Sequence, residues 1–381
     1  MDFQTLMPAI ALIKWQNLVM ILVGAILIFL AIRKQYEPTL LLPIGFGAIL
    51  VNIPFSAVLT QFQNGEEVIG ALNVFFDAGI ATEVFPLLIF IAIGAMIDFS
   101  PLFQRPVLLL FGAAAQFGIF MTMILATLVG FDIKQAASIG IIGAADGPTS
   151  IIVATQLAKD LLGPISVAAY SYMALVPIIQ PPVIKALTTS NERKIRMKFD
   201  ANKKVSRTTL IVFPIAVTVV AGLIAPSSLA LIGFLMFGNL IRECGVLNSL
   251  SQTAQKELAN LVTILLGITI ASTMTGERFV TLDTLMILGL GIFAFIFDTA
   301  GGVLFAKLIN TFLAKDKKIN PMIGACGISA FPMSARVIHG MGMKEDKHNY
   351  LLMPAISANV GGQIGSVIVG GMILLLVPLF A

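Results

Sequence analysis

The chain is a succession of apolar runs, most of them close to bilayer-spanning length, separated by short clusters of charge, proline and glycine. The runs cover residues 18–32, 40–59, 84–97, 107–129, 139–158, 161–187, 210–225, 229–241, 258–273, 282–309, 321–338 and 350–379. In lipid, the backbone N–H and C=O groups of such continuous runs must pair within their own segment, which dictates helices. Composition agrees: 57% of the 381 residues are hydrophobic and 12% are charged, against about 25% charged in soluble domains. Mean hydropathy is +0.96. At about 20 residues per span, this content accommodates roughly ten or eleven spans. A soluble enzyme on one anchor, a disordered chain and a nucleic-acid binder are excluded. The net charge of +4 comes from a few loops rather than from a basic face. Cys244 and Cys326, with His339 and His348, make neither a disulfide framework nor a zinc site. The opening Met1-Asp2-Phe3 lacks the basic segment of a cleaved signal peptide.

Charge orients the spans. Lys185, Arg193, Lys194, Arg196, Lys198, Lys203, Lys204 and Arg207 face only Glu192 and Asp200 in the loop that divides the chain. That loop is cytoplasmic under the positive-inside rule. Arg33-Lys34 and Lys315, Lys317 and Lys318 fall on the same side. The stretch 60–83, with Glu66, Glu67, Asp77 and Glu83 and no Lys or Arg, falls outside, as does the N-terminus. The parity closes only if runs 139–158 and 321–338 each enter and leave on one face. Both are dense in Gly and Pro, as re-entrant or broken helices are. The expected fold is therefore an all-α polytopic membrane protein of about ten transmembrane helices plus two broken segments. Ile142-Gly143-Ala144 recurs as Ile323-Gly324-Ala325, each copy after four apolar runs and before one long run. This divides the chain into repeats 1–189 and 208–381 around a cytoplasmic linker, 190–207. Five spans per half invert the second repeat, the arrangement of secondary transporters whose broken helices meet near the midplane.

Few residues in the apolar runs carry chemistry. Asp146 stands in Gly143-Ala144-Ala145-Asp146-Gly147-Pro148-Thr149. A carboxylate at the bilayer centre costs at least about 2.5–3.5 kcal/mol and is rarely idle. Gly147-Pro148 breaks the helix beside it and frees carbonyls that, with the carboxylate, suit a hard cation such as Na⁺. The bland reading is a carboxylate capping a neighbouring helix. Asn320, Ser329 and Ser334 add neutral oxygens around Pro321 and Pro332. Arg336, a permanent cation in an apolar stretch, requires an anion, unless it snorkels to the interface. Asn359 and Gln363 share a helix face and serve either an oxygen cage or an interhelical hydrogen bond. Asp298 lies late in a long run, opposite or beside the site. Tyr170 and Tyr172 precede Pro177 and offer phenols for proton transfer, although Tyr is also an interface residue. No Walker or dinucleotide motif is present.

Taken together, 143–149, Asp298-Thr299-Ala300-Gly301-Gly302, 320–336 and 358–366 resemble the β subunits of the sodium-pumping, biotin-dependent decarboxylases. The resemblance runs over nearly the whole chain. It implies that a soluble carboxyltransferase subunit loads biotin on a carrier domain. The β subunit then decarboxylates carboxybiotin, consumes a proton and exports Na⁺ across a prokaryotic cell membrane. It implies Na⁺ ligands at Asp146, Asn320, Ser329 and Asn359, support from Gly324, a carboxybiotin site at Arg336 and proton delivery by Tyr172. It also implies a small single-span partner and a β trimer. The N-terminus is similar to that of the acyl-CoA-specific members rather than the oxaloacetate-specific ones. The alternative function is a stand-alone Na⁺ symporter or Na⁺/H⁺ antiporter for a small carboxylate.

Overall fold

The computed structural model describes residues 12–35, 38–63, 66–197, 205–314 and 317–380. Lys198, Asp200, Lys203, Lys204, Lys315 and the opening Met1-Asp2-Phe3 lie outside them. The first half runs α1 (Trp15–Lys34), α2 (Pro38–Val51), α3 (Ala71–Ile80), α4 (Val84–Met96), α5 (Pro106–Val129), α6 (Ile133–Ala144), α7 (Gly147–Leu157) and α8 (Leu162–Leu187). The second runs α9 (Arg207–Ile224), α10 (Leu229–Glu243), α11 (Asn248–Thr273), α12 (Leu282–Phe312), a 3₁₀ turn Pro321–Gly327, α13 (Met333–Glu345) and α14 (Leu352–Leu376). The acidic loop holds a small antiparallel hairpin, Gln61–Gln63 with Glu66–Val68.

Polar residues punctuate the apolar sequence into these elements. Asp132 caps α6, accepting from the N–H groups of Lys134 at 2.8 Å and Gln135 at 2.9 Å. Ser206 and Thr281 do the same for α9 and α12. Pro177 removes a backbone donor from α8, which bends by 67° between its halves, Lys159–Met173 and Leu175–Leu187. α3 and α4 meet at 59°.

The all-α membrane architecture matches the expectation. Among the described residues six helices are long and apolar enough to cross a membrane, or eight if each bent pair counts as one span. Other helices are shorter. α2 has 14 residues and α10 has 15, and at 1.5 Å per residue each covers only about 21–23 Å of a ~30 Å core. α14 is central, with 67% of its apolar window buried, whereas only 11% of that of α9 is buried and the rest lies on the outer surface.

The two halves share an element order and exchange partners reciprocally. α4 packs on α10 as α11 packs on α2, and α8 packs on α12 as α14 packs on α5. Asn52, just past α2, donates to the Met274 carbonyl at the end of α11 at 2.8 Å. Asn239 on α10 donates to the Ile97 carbonyl at the end of α4 at 2.9 Å. At the α4–α10 crossing, a methyl group on Gly94 would overlap the Leu235 carbonyl, and one on Gly238 the Ile91 carbonyl. This is small-residue packing of the kind membrane helices use in place of a hydrophobic driving force.

Candidate functional site: a buried carboxylate between two broken helices

Both segments expected to break do so, and both copies of the Ile-Gly-Ala match lie in 3₁₀ turns. α6 tightens at Ile141–Ala144, Ala145 turns left-handed at φ +56°, and Asp146 stands extended as the cap of α7 with Pro148 in the first turn. A left-handed non-glycine residue costs about 1 kcal/mol or more, so packing imposes this turn. The second segment forms the 3₁₀ turn Pro321–Gly327, extends at Ile328 and re-enters helix at Met333. The two glycines of the match lean on one helix. A methyl on Gly143 would overlap the Asp298 carboxylate, and one on Gly324 the Gly302 carbonyl, about one turn apart on α12.

The breaks touch beside Asp146. Ser329 donates its N–H to the Ala144 carbonyl at 2.9 Å. Asp146 Oδ2 accepts from Thr149 Oγ1 at 2.7 Å and from Ser366 Oγ of α14 at 3.0 Å, and its Oδ1 accepts from the Thr149 N–H at 3.3 Å. Ser329 Oγ bonds the same Ser366 hydroxyl and lies 3.0 Å from the Gly362 carbonyl. Asn359 donates to the Ile328 carbonyl at 2.6 Å, and Gln363 donates to that of Ser329. Both amides hold down carbonyls freed by the second break. Their own oxygens, Asn359 Oδ1 and Gln363 Oε1, are buried without partners. Asp146 is 3% exposed and no cationic side chain pairs with it among the described residues. A buried carboxylate among hydroxyls and unpartnered amide oxygens is a donor set for a hard, weakly directional cation. No three His, Cys, Asp or Glu side chains converge among the described residues.

The other expected site residues scatter. Gly147 packs under the ring of Tyr170, whose hydroxyl is buried and unpartnered. Tyr172 faces the other side of α8, donating to the Leu288 carbonyl and meeting Phe295 edge-on at 6.0 Å. Asp298 is fully buried; its Oδ1 accepts from the Gly118 N–H at 2.7 Å, and its Oδ2 has no partner. Asn320 takes no part in the cluster: its amide bonds Arg193, Ile195 and Met322. Arg336, expected deep in an apolar stretch, is exposed instead. α13 buries Ser334, Ala335 and Ile338 and leaves Arg336 on the opposite face. There it lines a cavity of 330 Å³ with Pro177, Pro181, Lys185, Gly340 and Lys344. Ser366 and Thr149 complete the cluster and were not singled out by sequence reasoning. Ser366, seven residues after Asn359, shares its helix face and was findable on that periodicity.

Comparison with known proteins extends this geometry to an identity. Residues 16–377 match the family described as Na⁺-transporting oxaloacetate decarboxylase beta subunit. The chain is 51% identical over 359 residues to the methylmalonyl-CoA decarboxylase subunit beta of Veillonella parvula, covering 94% of this chain and 92% of that one. It is 49% identical over 363 residues to the glutaconyl-CoA decarboxylase subunit beta of Acidaminococcus fermentans, covering 95% and 94%. It is 48% identical over 375 residues to the methylmalonyl-CoA decarboxylase subunit beta of Propionigenium modestum, covering 94% of each. Paired broken helices around a buried acid thus occur in a chain matched almost end to end by decarboxylase β subunits. This multi-pass membrane protein belongs to the family of Na⁺-transporting decarboxylase β subunits, the membrane component of a decarboxylase complex.

Proposed function

We propose that Na⁺ is carried between the two breaks by Asp146, Thr149, Ser329 and Ser366, with Asn359 and Gln363 supplying amide oxygens. The single observation behind this reading is the Asp146–Ser366–Ser329 chain of contacts, which ties both repeats to one carboxylate. Na⁺ accepts neutral and anionic oxygens without directional preference, whereas the lone carboxylate is costly in the bilayer unless neutralised. Protonation and Na⁺ binding at Asp146 are then mutually exclusive, and that exclusion couples one ion to the other. The inverted relation of repeats 1–189 and 208–381 supplies alternating access.

The groove between α8 and α13 receives carboxybiotin from a biotin-carrier partner. Arg336, Lys185 and Lys344 outweigh the single carboxylate of Glu345 in its lining and give it net positive charge at the linker end of α8. Decarboxylation breaks the N–CO₂⁻ bond, releases CO₂ and leaves a ureido nitrogen that takes up one proton. Of the two phenols, Tyr170 lies beside Asp146 and is the better proton donor there, with Tyr172 on the α12 side. At the other end of α8 a cavity of 670 Å³, lined by Asp77, Asp160, Lys159 and Arg278 among others, is the route we assign to Na⁺ release.

The three relatives above are named for acyl-CoA decarboxylation, and an acyl-CoA is the substrate class we assign to the complex. Its further members are a carboxyltransferase subunit, a small single-span subunit and further copies of this chain in a trimer. The stand-alone symporter or antiporter reading has no support from these relatives. The test is Na⁺ movement in proteoliposomes holding the complex, driven by free carboxybiotin. Decarboxylation that ignores Na⁺, or that persists unchanged and coupled in Asp146→Asn, would sink the reading.

A further inference from the structure

Asn320 stands at the start of the second break, yet its side-chain nitrogen bonds only the linker. Its Nδ2 uses both hydrogens on the linker, donating to the carbonyls of Arg193 at 2.8 Å and Ile195 at 2.9 Å. Its Oδ1 accepts from the Met322 N–H at 3.1 Å and so caps the 3₁₀ turn. Asn349, fully buried like Asn320, donates to the same Arg193 carbonyl at 2.9 Å. The Arg193 guanidinium then reaches Glu345 at the end of α13 and the Thr188 carbonyl just past α8, each at 2.6 Å. Lys307 of α12 bonds the Leu187 carbonyl at 3.0 Å and Glu192 at 3.1 Å, and Arg196 pairs with Asp346 at 2.6 Å. Residues 187–197 are thereby fastened to α12 and to both ends of the second broken helix.

We propose that Asn320 is a positioning residue that fastens the linker to the second broken helix, rather than a ligand of the transported cation. This rests on the sodium-pump reading above. A cation ligand offers oxygen lone pairs, whereas the part of Asn320 that is fully committed is its NH₂ group, aimed at two carbonyls. The same strap fixes α13, and with it Arg336 and Lys344, against the Lys185 end of α8. Loss of Asn320 therefore slackens the carboxybiotin groove and leaves the oxygens around Asp146 in place.

The two roles predict opposite results for one substitution. Asn320→Asp keeps an oxygen ligand and adds negative charge, which a Na⁺ site would accept. It also turns two donors into acceptors facing carbonyl oxygens, which the strap would not. In the purified complex, Asn320→Asp and Asn320→Ala should each lower kcat for carboxybiotin decarboxylation roughly tenfold or more. The Na⁺ concentration for half-maximal rate should stay within about twofold, and trypsin should cut after Arg193, Lys194 or Arg196 several times faster. Glu345→Gln, which weakens the strap without touching Asn320, should reproduce the faster proteolysis more mildly. The proposal is overturned if Asn320→Asp retains full rate, or if Asn320→Ala raises half-saturation tenfold with native proteolysis. Ser366→Ala is the control for the Na⁺ site. Should it leave half-saturation unmoved, that assignment of the Na⁺ site fails, and the trypsin comparison decides the strap by itself.

Discussion

Ser329 and Ala144 are joined main chain to main chain, N–H to carbonyl, at 2.9 Å. They come from opposite halves of the sequence, and each sits within two residues of a helix break. A buried backbone hydrogen bond in lipid has no water to replace it. Opening the site to either side must therefore move the two breaks together or re-pair these groups. The oxygens around Asp146 are held in the same frame, so under the proposed Na⁺ assignment ion binding and the relation of the two halves are one equilibrium.

Ser366 is the link between Asp146 and Ser329, and its removal tests the site most directly. Ser366→Ala should raise the Na⁺ concentration for half-maximal decarboxylation by roughly five- to tenfold, the effect of losing about 1–1.5 kcal/mol of one hydrogen-bonding ligand. Maximal rate at saturating Na⁺ should change far less. An unshifted Na⁺ activation curve would remove Ser366 from the binding set.

Gly143→Ala and Gly324→Ala should each destabilise the protein by roughly 1–3 kcal/mol, because neither α12 backbone nor the buried Asp298 carboxylate can yield. Gly340→Ala on α13 is the matched control, since a methyl there meets nothing within 4 Å. It should be neutral or slightly stabilising, as alanine is in a helix. Thermal melting of the purified complex separates the three. Equal melting temperatures would contradict the close approach to α12.

For Arg336, charge and geometry can be told apart. Arg336→Gln should reduce kcat/KM for carboxybiotin by roughly 10–100-fold with Na⁺ half-saturation unchanged. Arg336→Lys should fall between the two, because an ammonium keeps the charge and loses the planar two-point contact. A change confined to Na⁺ half-saturation would move Arg336 out of the groove's chemistry.

The linker strap carries a pH signature. Hydrogen bonding to Arg193 holds the Glu345 carboxyl below its usual range, and Arg196 does the same to Asp346. Carboxyls depressed in the folded state contribute stability that is complete above their ordinary values, near pH 4, and is lost as pH falls through the lower folded values. A spin label on exposed Asn191→Cys should stay immobile from pH 8 to about 5 and gain mobility only below about pH 4. The Arg196–Asp346 pair is solvent-exposed, so salt should weaken it too. Mobility rising between pH 8 and 6 would point to a histidine instead.

Much of this was legible before the structure. The two breaks follow from Gly143, Gly147-Pro148, Pro321 and Pro332, whose backbone chemistry no neighbour can override. Asp146 follows from the cost of a bare carboxylate in lipid. What local sequence lacks is the direction a residue faces. Arg336 reads as buried because its neighbours are apolar, yet a helix sends alternate neighbours to opposite faces and α13 turns Arg336 outward. Tyr170 and Tyr172 are two residues apart, hence on opposite sides of α8, and only the tertiary structure decides which looks toward Asp146. Span number is read less sharply for a related reason. Apolar runs reveal burial in lipid or protein alike, and α2 and α10 are apolar yet only 14 and 15 residues long.

At the α4–α10 crossing Gly94 and Gly238 bring the two backbones together, and the buried Asn239 side chain bonds the Gly94 and Ile97 carbonyls across it. Two rods riveted at one bare point travel as a unit, and a single added methyl would prise them apart.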